Sequence, residues 1–287
     1  MKKDNFAKHF IKHIKSLFRS RGLRNKINKM NEKIDVLIER ITKLQDNFCD
    51  QQKQIEILKS QSVDIHKKFS VLNSEPYWAN VYHDTIIGSD WLHNKSVSPG
   101  RWAVSYIVLY VLYRILDEIK PQSILECGLG QSSKLTIQYA DSHKAKLTIC
   151  ENDSKWLSFF QKQFPTADKY TKILDTEMMH VVPEYESRTY AGFKSAIKNK
   201  KFDLVLIDGP RGSEHYSRPE ILDIVENLDK SFVILLDDMN RIGEKESWNL
   251  LKQKLNDKGI DFIDRVYSSD KSLGLLCSPD LSWLTTL

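Results

Sequence analysis

The chain has 287 residues, of which 41% are hydrophobic and 28% are charged. This length exceeds what one domain of the commonest size needs, and the composition excludes a wholly disordered chain. No apolar run reaches the ~18 residues of a membrane-spanning helix, and lysines interrupt the apolar residues near the N-terminus, so we expect a protein kept in the cytoplasm. The four cysteines have no metal-site or redox-motif spacing, and we expect them to be reduced.

The formal net charge of +5 is concentrated at one end of the chain. Residues 1–26 contain nine Lys or Arg and one acid, a net charge of +8, so the remainder carries −3. Because the excess is local, it argues against a globally basic domain that binds nucleic acid and favours a basic anchor.

Residues 1–24 are predicted to form a basic amphipathic helix. The apolar residues that share one face are Phe6, Phe10, Ile14, Leu17 and Phe18. The basic residues that fall largely on the other face are Lys8, Lys12, Lys15 and Arg19. Such a helix suits an anionic membrane surface, which places the protein at the inner face of the cell membrane. A solvated tail, a helix packed on a protein partner and a nucleic-acid-binding arm are the alternatives.

Residues 25–74 carry the seven-residue repeat of a coiled coil. With Ile27 at position a, twelve of the fourteen a and d positions up to Leu72 are apolar, and Gln51 and Ser62 are the exceptions. We therefore expect a helix of roughly 70 Å, at 1.5 Å per residue, that joins copies of the chain into a homo-oligomer. A long helix folded back on the globular domain is the alternative.

Residues 75–287 alternate short apolar strands with helical stretches, including a helix over residues 100–119 that begins after Ser98 and Pro99. The predicted strands are residues 122–127, 146–151, 170–174, 202–207, 231–236, 260–267 and 272–277. This alternation predicts an α/β domain with a Rossmann-like, doubly wound and mostly parallel seven-stranded sheet, preceded by the long coiled-coil helix. The final hairpin would contribute one antiparallel strand.

Ligands of open parallel sheets bind beyond the carboxyl ends of the strands, so we expect the chemistry there. The first strand is followed by Gly128 and Gly130, which let the backbone turn tightly and approach a ligand closely. Glu126 precedes these glycines and can pair with a cationic ligand group, whereas it would repel a pyrophosphate. Glu151 ends the second strand, where an acid can accept both hydroxyls of a ribose. An acid near a helix N-cap is the alternative interpretation of Glu151.

Two later strands end in carboxylates: Asp208 follows the fourth strand, and Asp237 and Asp238 follow the fifth. Three acids at neighbouring strand ends repel one another unless a cation lies among them. Hard divalent cations take such oxygen ligands, so this set predicts a metal site. Aspartates that merely cap turns are the alternative.

Together these features resemble a class I methyltransferase, a family that uses S-adenosylmethionine. The resemblance covers about residues 120–278 and includes the acidic glycine loop, the acid that ends the second strand, the Ile-Asp-Gly-Pro stretch at residues 207–210 and the closing hairpin. The resemblance implies these cofactor contacts: Glu126, Gly128 and Gly130 to the methionine part, Glu151 to the ribose, and Asp175 near the adenine.

Within that class, Asp208, Asp237 and Asp238 resemble the magnesium ligands of metal-dependent sugar O-methyltransferases. Residues 208–212, Asp-Gly-Pro-Arg-Gly, are also similar to plant enzymes that methylate glucuronic acid in xylan. Met239 stands where the antibiotic-sugar enzymes would have Tyr, so the match to them is partial. The Asn/Asp-Pro-Pro-aromatic motif of base-amino methyltransferases is absent, which argues against methylation of nucleobases.

The resulting prediction is an O-methyltransferase acting on a sugar hydroxyl of a surface polysaccharide or glycoconjugate, with a glycan or nucleotide sugar as substrate. The Mg²⁺ would orient the hydroxyl and lower its pKa, while His215 would accept its proton. Arg211 and Arg218 are candidates to bind an acidic sugar or a phosphate, with surface solvation as the alternative. Other classes remain: a coiled-coil scaffold with an inactive domain, an RNA methyltransferase and a nicotinamide enzyme, the last disfavoured by Ser133 and Glu126.

Overall fold

A computed structural model describes residues 2–18, 21–100, 102–268 and 271–287 of the chain. The chain forms two compact units, Met1–Lys67 and Lys68–Leu287. The first unit contains helix α1 (Lys2–Phe18) and most of helix α2 (Arg21–Thr85). Among the described residues, no helix is both long enough and apolar enough to cross a membrane.

Helix α2 continues through Pro76, where we expected the third segment to start. The last turns of α2 belong to the second unit, in which Tyr82 is fully buried and Trp78 packs against the core. Because these apolar residues bury their side chains while helical, the helix extends to Thr85 despite the proline.

The a and d positions of α2 are solvent-exposed in the single chain. The large apolar side chains described at these positions are Ile27, Met30, Ile34, Leu37, Ile41, Leu44, Phe48, Ile55, Leu58 and Ile65, and each is at least 45% exposed. The predicted Phe69 and Leu72 lie outside the residues whose side chains are described. Exposure of a long apolar stripe to water is unfavourable in free energy, so we expect a partner helix to cover it. The coiled coil stays a prediction.

The described strands alternate with helices as the sequence predicts. In chain order they are β1 (Ser123–Cys127), β2 (Lys146–Glu151), β3 (Thr171–Ile173), β4 (Thr176–Val182), β5 (Tyr185–Tyr190), β6 (Phe202–Ile207), β7 (Leu228–Leu236), β8 (Ile263–Tyr267) and β9 (Leu273–Cys277). Seven of these described strands form one sheet in the order β3-β2-β1-β6-β7-β9-β8. β9 runs opposite to the other six strands, and all pairings that do not involve it are parallel. The predicted Rossmann-like fold class is therefore confirmed.

The remaining described helices cover both faces of the sheet. In chain order they are α3 (Tyr106–Arg114), α4 (Ser133–His143), α5 (Ser154–Phe160), α6 (Ala167–Tyr170), α7 (Phe193–Ile197), α8 (Glu220–Asp223) and α9 (Ile242–Asp257). A π-helical turn (Ile115–Ile119) extends α3, and 3₁₀ segments occupy Ile224–Asn227 and Pro279–Thr286. Consecutive residues of each central strand enter opposite hydrophobic clusters, so both faces of the sheet are buried.

The predicted start of the helix at residue 100 is wrong, because α3 begins at Tyr106. Gly100 has a φ of +91°, and its N–H donates to the Val104 carbonyl in a turn rather than a helix. Lys271 Nζ also donates to the Ala103 carbonyl at 2.8 Å, and the Ala103 N–H donates to the Gly100 carbonyl at 3.0 Å, so the chain forms a turn before the helix.

Strands β4 and β5 pair antiparallel in a separate two-stranded sheet that we did not predict. Most side chains of this hairpin are polar and partly exposed, so it lacks the apolar run that marked the other strands. Its inward positions are instead taken by small or hydroxyl-bearing side chains, Ser187 and Thr189, together with Tyr190.

Candidate active site

The carboxyl ends of β1 and β6 are joined backbone to backbone. The Cys127 carbonyl accepts hydrogen bonds from the N–H groups of Asp208 at 2.8 Å and Gly209 at 2.7 Å. Gly128 has a φ of +99°, and a Cβ there would lie 3.0 Å from the Gly209 nitrogen. Gly128 is therefore required by the packing of these two loops, in addition to the ligand role that the sequence predicts.

Gly130 has a different environment, since a Cβ built on it would meet no atom within 4 Å. Its N–H donates to Ser133 Oγ at 2.9 Å, which fixes the loop against the start of α4. The loop thus borders an open space beside its second glycine, as a site for a bound cofactor requires.

Glu126 lies beneath this loop and is fully buried. Its carboxylate accepts hydrogen bonds from the hydroxyls of Ser132 and Ser133 on one oxygen and Thr136 on the other, at 2.6 to 2.9 Å. Burial raises the pKa of Glu126 to about 7, although the three hydroxyls oppose the shift. The structure therefore shows Glu126 holding the loop to α4, and its contact with a cationic cofactor group stays a prediction.

Glu151, at the end of β2, also contacts the glycine loop. Its Oε2 accepts the Leu129 N–H at 2.9 Å, and its Oε1 accepts the N–H groups of Asn152 and Asp153. Asp153 is the residue that caps α5, with Oδ1 accepting from the Lys155 and Trp156 nitrogens. The acid predicted for the ribose is thus positioned beside the loop, and the helix-capping role falls to its neighbour.

Asp175 is exposed in the short connection between β3 and β4. Its carbonyl accepts the Ala191 N–H at 2.7 Å, while the preceding Leu174 N–H donates to the Glu151 carbonyl at 2.9 Å. The main chain therefore fixes this connection next to the end of β2. A role for the Asp175 side chain at the adenine stays a prediction.

The three predicted metal-binding aspartates come together at the ends of β6 and β7. Asp208, Asp237 and Asp238 each offer a carboxylate oxygen, and these oxygens lie within 4.8 Å of one another. Asp237 and Asp238 are buried, whereas Asp208 is partly exposed. The neighbouring placement of β6 and β7, expected from the alternating pattern, is the reason that the three meet.

Arg218 lies in the middle of this cluster, although we expected it to bind substrate. Its Nη2 is 3.1 Å from Asp208 Oδ1 and 2.8 Å from Asp238 Oδ2, and its Nη1 donates to the Asp237 carbonyl at 2.9 Å. The side chain is 4% exposed. Neither predicted role holds, because a buried guanidinium paired with two carboxylates is available neither to a sugar nor to bulk water.

Further charged side chains surround the cluster: Lys271 Nζ at 3.6 Å from Asp238 Oδ1, Arg241 Nη1 at 3.0 Å from Asp238 Oδ2, and Glu244 Oε1 at 3.6 Å from Arg218 Nε. Together with Arg218 and the three aspartates, they carry four negative and three positive formal charges. Cations other than a metal therefore lie among the aspartates, and they pair directly with Asp208 and Asp238.

Asp237 remains without such compensation. Among the described residues, neither of its carboxylate oxygens has a hydrogen-bond partner, and the side chain is fully buried. Burial first and the nearby Asp238 second raise the pKa of this carboxyl, while Arg218 opposes the shift. Burial and Asp237 likewise raise the pKa of Asp208.

These observations decide how well the site fits a divalent cation. The donor set has the right chemistry, because three carboxylates converge and one has unpartnered oxygens. Arg218 forms ion pairs with two of the three aspartates, Asp208 and Asp238. A metal ion would share these two carboxylates with the guanidinium, and Asp237 would be its unshared ligand. The residues therefore fit a cation, although Arg218 already offsets the charge of Asp208 and Asp238 without one.

His215 pairs with Glu246, which the sequence analysis did not single out. Its Nδ1 lies 3.0 Å from Glu246 Oε1, and the Tyr216 N–H donates to Glu246 Oε2 at 2.9 Å. Hydrogen bonds from His215 and Tyr216 lower the pKa of Glu246 against the opposing effect of desolvation. An ionised carboxylate on Nδ1 favours the tautomer whose Nε2 carries no proton, the arrangement that a general base needs.

Two partners escaped the sequence analysis for one reason: they reach the site through tertiary folding. Glu246 is a helix residue 31 positions after His215, and Lys271 lies in the turn of the closing hairpin, after the edge strand β8. The hydroxyl residues that hold Glu126 had a visible signal, since Ser132, Ser133 and Thr136 recur at helical spacing directly after the glycine loop.

No family model matches the chain. Glucuronoxylan 4-O-methyltransferase 3 of Arabidopsis thaliana is 25% identical over 117 residues, which cover 34% of this chain and 39% of that protein. Glucuronoxylan 4-O-methyltransferase 2 of the same plant is 23% identical over 117 residues, which cover 34% of this chain and 40% of that protein. The chain thus spans only about two fifths of the length of these curated relatives.

Among solved structures, a methyltransferase from Podospora anserina with S-adenosylhomocysteine bound is 14% identical, with a TM-score of 0.40 over 69% of this chain and 86% of that one. The resemblance to class I methyltransferases that the sequence suggests is thus matched by a fold likeness and by two partial curated relatives. The main sheet contains the seven strands that the sequence predicts, and the curated relatives are O-methyltransferases by name.

Proposed function

We propose that the chain is an S-adenosylmethionine-dependent O-methyltransferase that acts on a sugar hydroxyl of a polysaccharide or glycoconjugate. The observation that carries this proposal is the glycine loop after β1, which is fixed from both sides by Glu126 and Glu151 and borders open space at Gly130. The partial match to two glucuronoxylan O-methyltransferases supports a sugar as the acceptor.

S-adenosylmethionine would supply a methyl group that is electrophilic because it is bonded to a positively charged sulfur. The sugar oxygen forms a bond to that carbon as the carbon–sulfur bond breaks, and the hydroxyl proton must leave. His215 is the proposed acceptor of this proton at Nε2, with Glu246 holding Nδ1 and stabilising the imidazolium that results. The main contribution of the loops is to position the two reactants in line.

We further propose that a divalent cation such as Mg²⁺ is held by Asp208, Asp237 and Asp238. When bound, such an ion would orient the acceptor hydroxyl and lower its pKa. The unpartnered oxygens of Asp237 support this site. Titration with Mn²⁺ followed by electron paramagnetic resonance tests it directly: wild type should bind the ion, and Asp237→Asn should not. Equal binding by both, or by neither, would remove the metal from the proposal.

The exposed stripe of α2 and the basic helix α1 support two assembly proposals. We propose that copies of the chain associate through the a and d positions of α2. Helix α1 would then hold the oligomer to the anionic inner face of the cell membrane.

The main alternative function is a scaffold whose methyltransferase-like domain is inactive. Measurements of cofactor binding and of methyl transfer separate this scaffold from the enzyme.

The first experiment is a calorimetric titration of the full chain with S-adenosylmethionine. Gly130→Val should abolish binding, because its side chain would enter the open space, where an added Cβ meets no protein atom within 4 Å. Gly88→Val is the matched control, since its position is equally open and lies far along the chain from the strand ends. A wild type that does not bind, or a Gly130→Val variant that binds normally, would refute the cofactor site.

A further inference from the structure

Leu129, the residue between the two glycines of the loop after β1, has both of its peptide groups held by side chains. Its N–H donates to Glu151 Oε2 at 2.9 Å, and its carbonyl accepts from the indole Nε1 of Trp156 at 2.6 Å. The Leu129 side chain is buried in the core. The middle of the glycine loop is therefore fixed through its main chain as well as through its side chain.

The two side chains that hold Leu129 come from the end of β2 and the start of α5. Glu151 ends β2, and its Oε1 accepts the Asp153 N–H at 2.8 Å. Asp153 caps α5, and its Oδ1 accepts the backbone N–H of Trp156 at 3.0 Å. A continuous series of hydrogen bonds therefore runs from Glu151 through Asp153 and Trp156 back to Leu129.

The indole of Trp156 is itself held by its neighbours on α5. It stacks on Phe159 with ring centroids 5.4 Å apart and an interplanar angle of 24°, and the Phe160 ring lies 6.3 Å away. Trp156 is partly buried and packs against the core. A large aromatic side chain with two torsions loses little conformational entropy on being fixed, so the indole is a rigid donor to the Leu129 carbonyl.

The amides on either side of Leu129 also have partners inside the protein. The Gly128 N–H donates to the Cys150 carbonyl at 2.8 Å, and the Gly130 N–H donates to Ser133 Oγ at 2.9 Å. Three consecutive amides of the loop are thus hydrogen-bonded to the protein itself. A binding loop that its own protein contacts hold in place loses less conformational entropy when a ligand binds, which favours affinity.

We infer that Trp156 is a positioning residue for the methyl donor. Its indole N–H and the Glu151 carboxylate together set the path of the main chain up to Gly130, which borders the open space of the candidate site. Trp156 acts indirectly, because it holds the Leu129 carbonyl and through it the loop. This inference rests on the proposed function, since it takes S-adenosylmethionine as the ligand of the loop.

The test begins with Trp156→Phe, which removes the indole N–H and keeps an aromatic ring. In a calorimetric titration of the full chain, this variant should bind S-adenosylmethionine about tenfold more weakly than wild type, because the Leu129 carbonyl loses its donor. Trp91→Phe is the matched control, since the Trp91 indole N–H donates to Asp117 Oδ1 at 2.8 Å and its ring contacts His143 at the C-terminal end of α4. Its affinity should stay within about twofold of wild type, because this hydrogen bond does not touch the loop.

Hydrogen–deuterium exchange of the peptide over residues 126–133, followed by mass spectrometry, separates positioning from general stabilisation. This peptide should exchange slowly in wild type without cofactor and faster in Trp156→Phe, while the rest of the second unit exchanges alike in both. Rapid exchange of the peptide in wild type without cofactor would overturn the inference whether or not the variants fold.

Three further outcomes would overturn the inference: an affinity of Trp156→Phe within twofold of wild type, an equal loss of affinity in Trp91→Phe, or unchanged exchange of the loop peptide in Trp156→Phe. The wild-type titration separates these results from the proposed function. A wild type that does not bind S-adenosylmethionine refutes the proposed function together with this role, whereas any of the three outcomes with a wild type that binds refutes the role of Trp156 alone.

Discussion

The side chains at the ends of β6 and β7 show which features of single residues the sequence predicts and which it does not. The aspartates at these strand ends could be predicted to meet, because consecutive parallel strands connected by a helix are usually neighbours. Their charge balance could not be predicted, since Arg218 reaches them only after the loop from Asp208 folds back on itself. The same loop carries His215, whose partner Glu246 comes from α9.

Glu126 gives the clearest pH-dependent prediction. Its native pKa of about 7 exceeds the ordinary value of 4.5, so the folded chain holds the proton more tightly than the unfolded chain. Its contribution to stability is therefore full below pH 4.5 and is lost as pH rises to 7, by about 3 kcal/mol at most for a shift of this size. Glu126→Gln lacks this loss, so its stability relative to wild type should increase over that window.

Urea denaturation monitored by tryptophan fluorescence checks this prediction, because all six tryptophans lie in the second unit. Thr136→Val serves as a control that removes one hydroxyl donor but leaves the titrating carboxyl. A stability difference between Glu126→Gln and wild type that does not change between pH 4.5 and 7 would contradict it.

The Glu126→Gln variant also tests the cofactor contact. If Glu126 binds the amino group of S-adenosylmethionine, the affinity of this variant for S-adenosylmethionine should fall.

At the scale of elements, strands were predicted more accurately than helix ends. The inner strands of the main sheet are largely apolar, because a parallel sheet is buried on both faces. Every main-sheet strand was found, including the partly exposed edge strands β3 and β8. The start of α3 was misplaced because Ser98 and Pro99 form a favourable local helix start, whereas contacts from Gln131 and Lys271 hold that segment in a turn outside the helix. Local sequence does not contain contacts of such long range.

Helix α2 predicts a measurable assembly. Leu37→Ser together with Leu44→Ser should dissociate the full chain to monomers, because both residues occupy the exposed apolar stripe. Val36→Ser with Ile57→Ser is the matched control, since these exposed apolar residues lie outside the a and d positions and should leave the oligomer intact. Sedimentation equilibrium measures the masses, and a monomeric wild type would end the coiled-coil proposal.

Helix α1 predicts salt-sensitive attachment to anionic vesicles. Its described basic residues Lys8, Lys12 and Lys15 are exposed, as are Phe6 and Phe10. Replacing the three lysines by Gln should weaken vesicle binding about 100-fold, at about 1 kcal/mol per charge near the headgroups. Salt should also weaken binding, since the screening length is about 10 Å at 0.1 M.

Vesicle co-sedimentation of the full chain provides the measurement. Lys29, Lys33 and Lys43 replaced by Gln remove the same charge from α2 and should leave the binding nearly unchanged. Equal binding of wild type to neutral and anionic vesicles would show that charge does not drive the attachment.

For the whole molecule, the sequence predicted the sheet and the convergence of Asp208, Asp237 and Asp238 at one edge of it, because apolar periodicity and strand-end residues are both local signals. It did not predict the β4–β5 hairpin, whose residues are mostly polar, or the His215–Glu246 pair, which joins distant segments. The central claim for the molecule is that this edge transfers a methyl group to a sugar oxygen.

The most direct test incubates the full chain with S-adenosylmethionine carrying a ¹³C-labelled methyl group and a hexuronate-bearing oligosaccharide. The account predicts a ¹³C methyl ether on the saccharide by NMR, formed in equal amount with S-adenosylhomocysteine and lost in His215→Ala. If S-adenosylmethionine binds but neither the acidic oligosaccharide nor its neutral counterpart gains a labelled methyl ether, the claim of sugar O-methylation is contradicted.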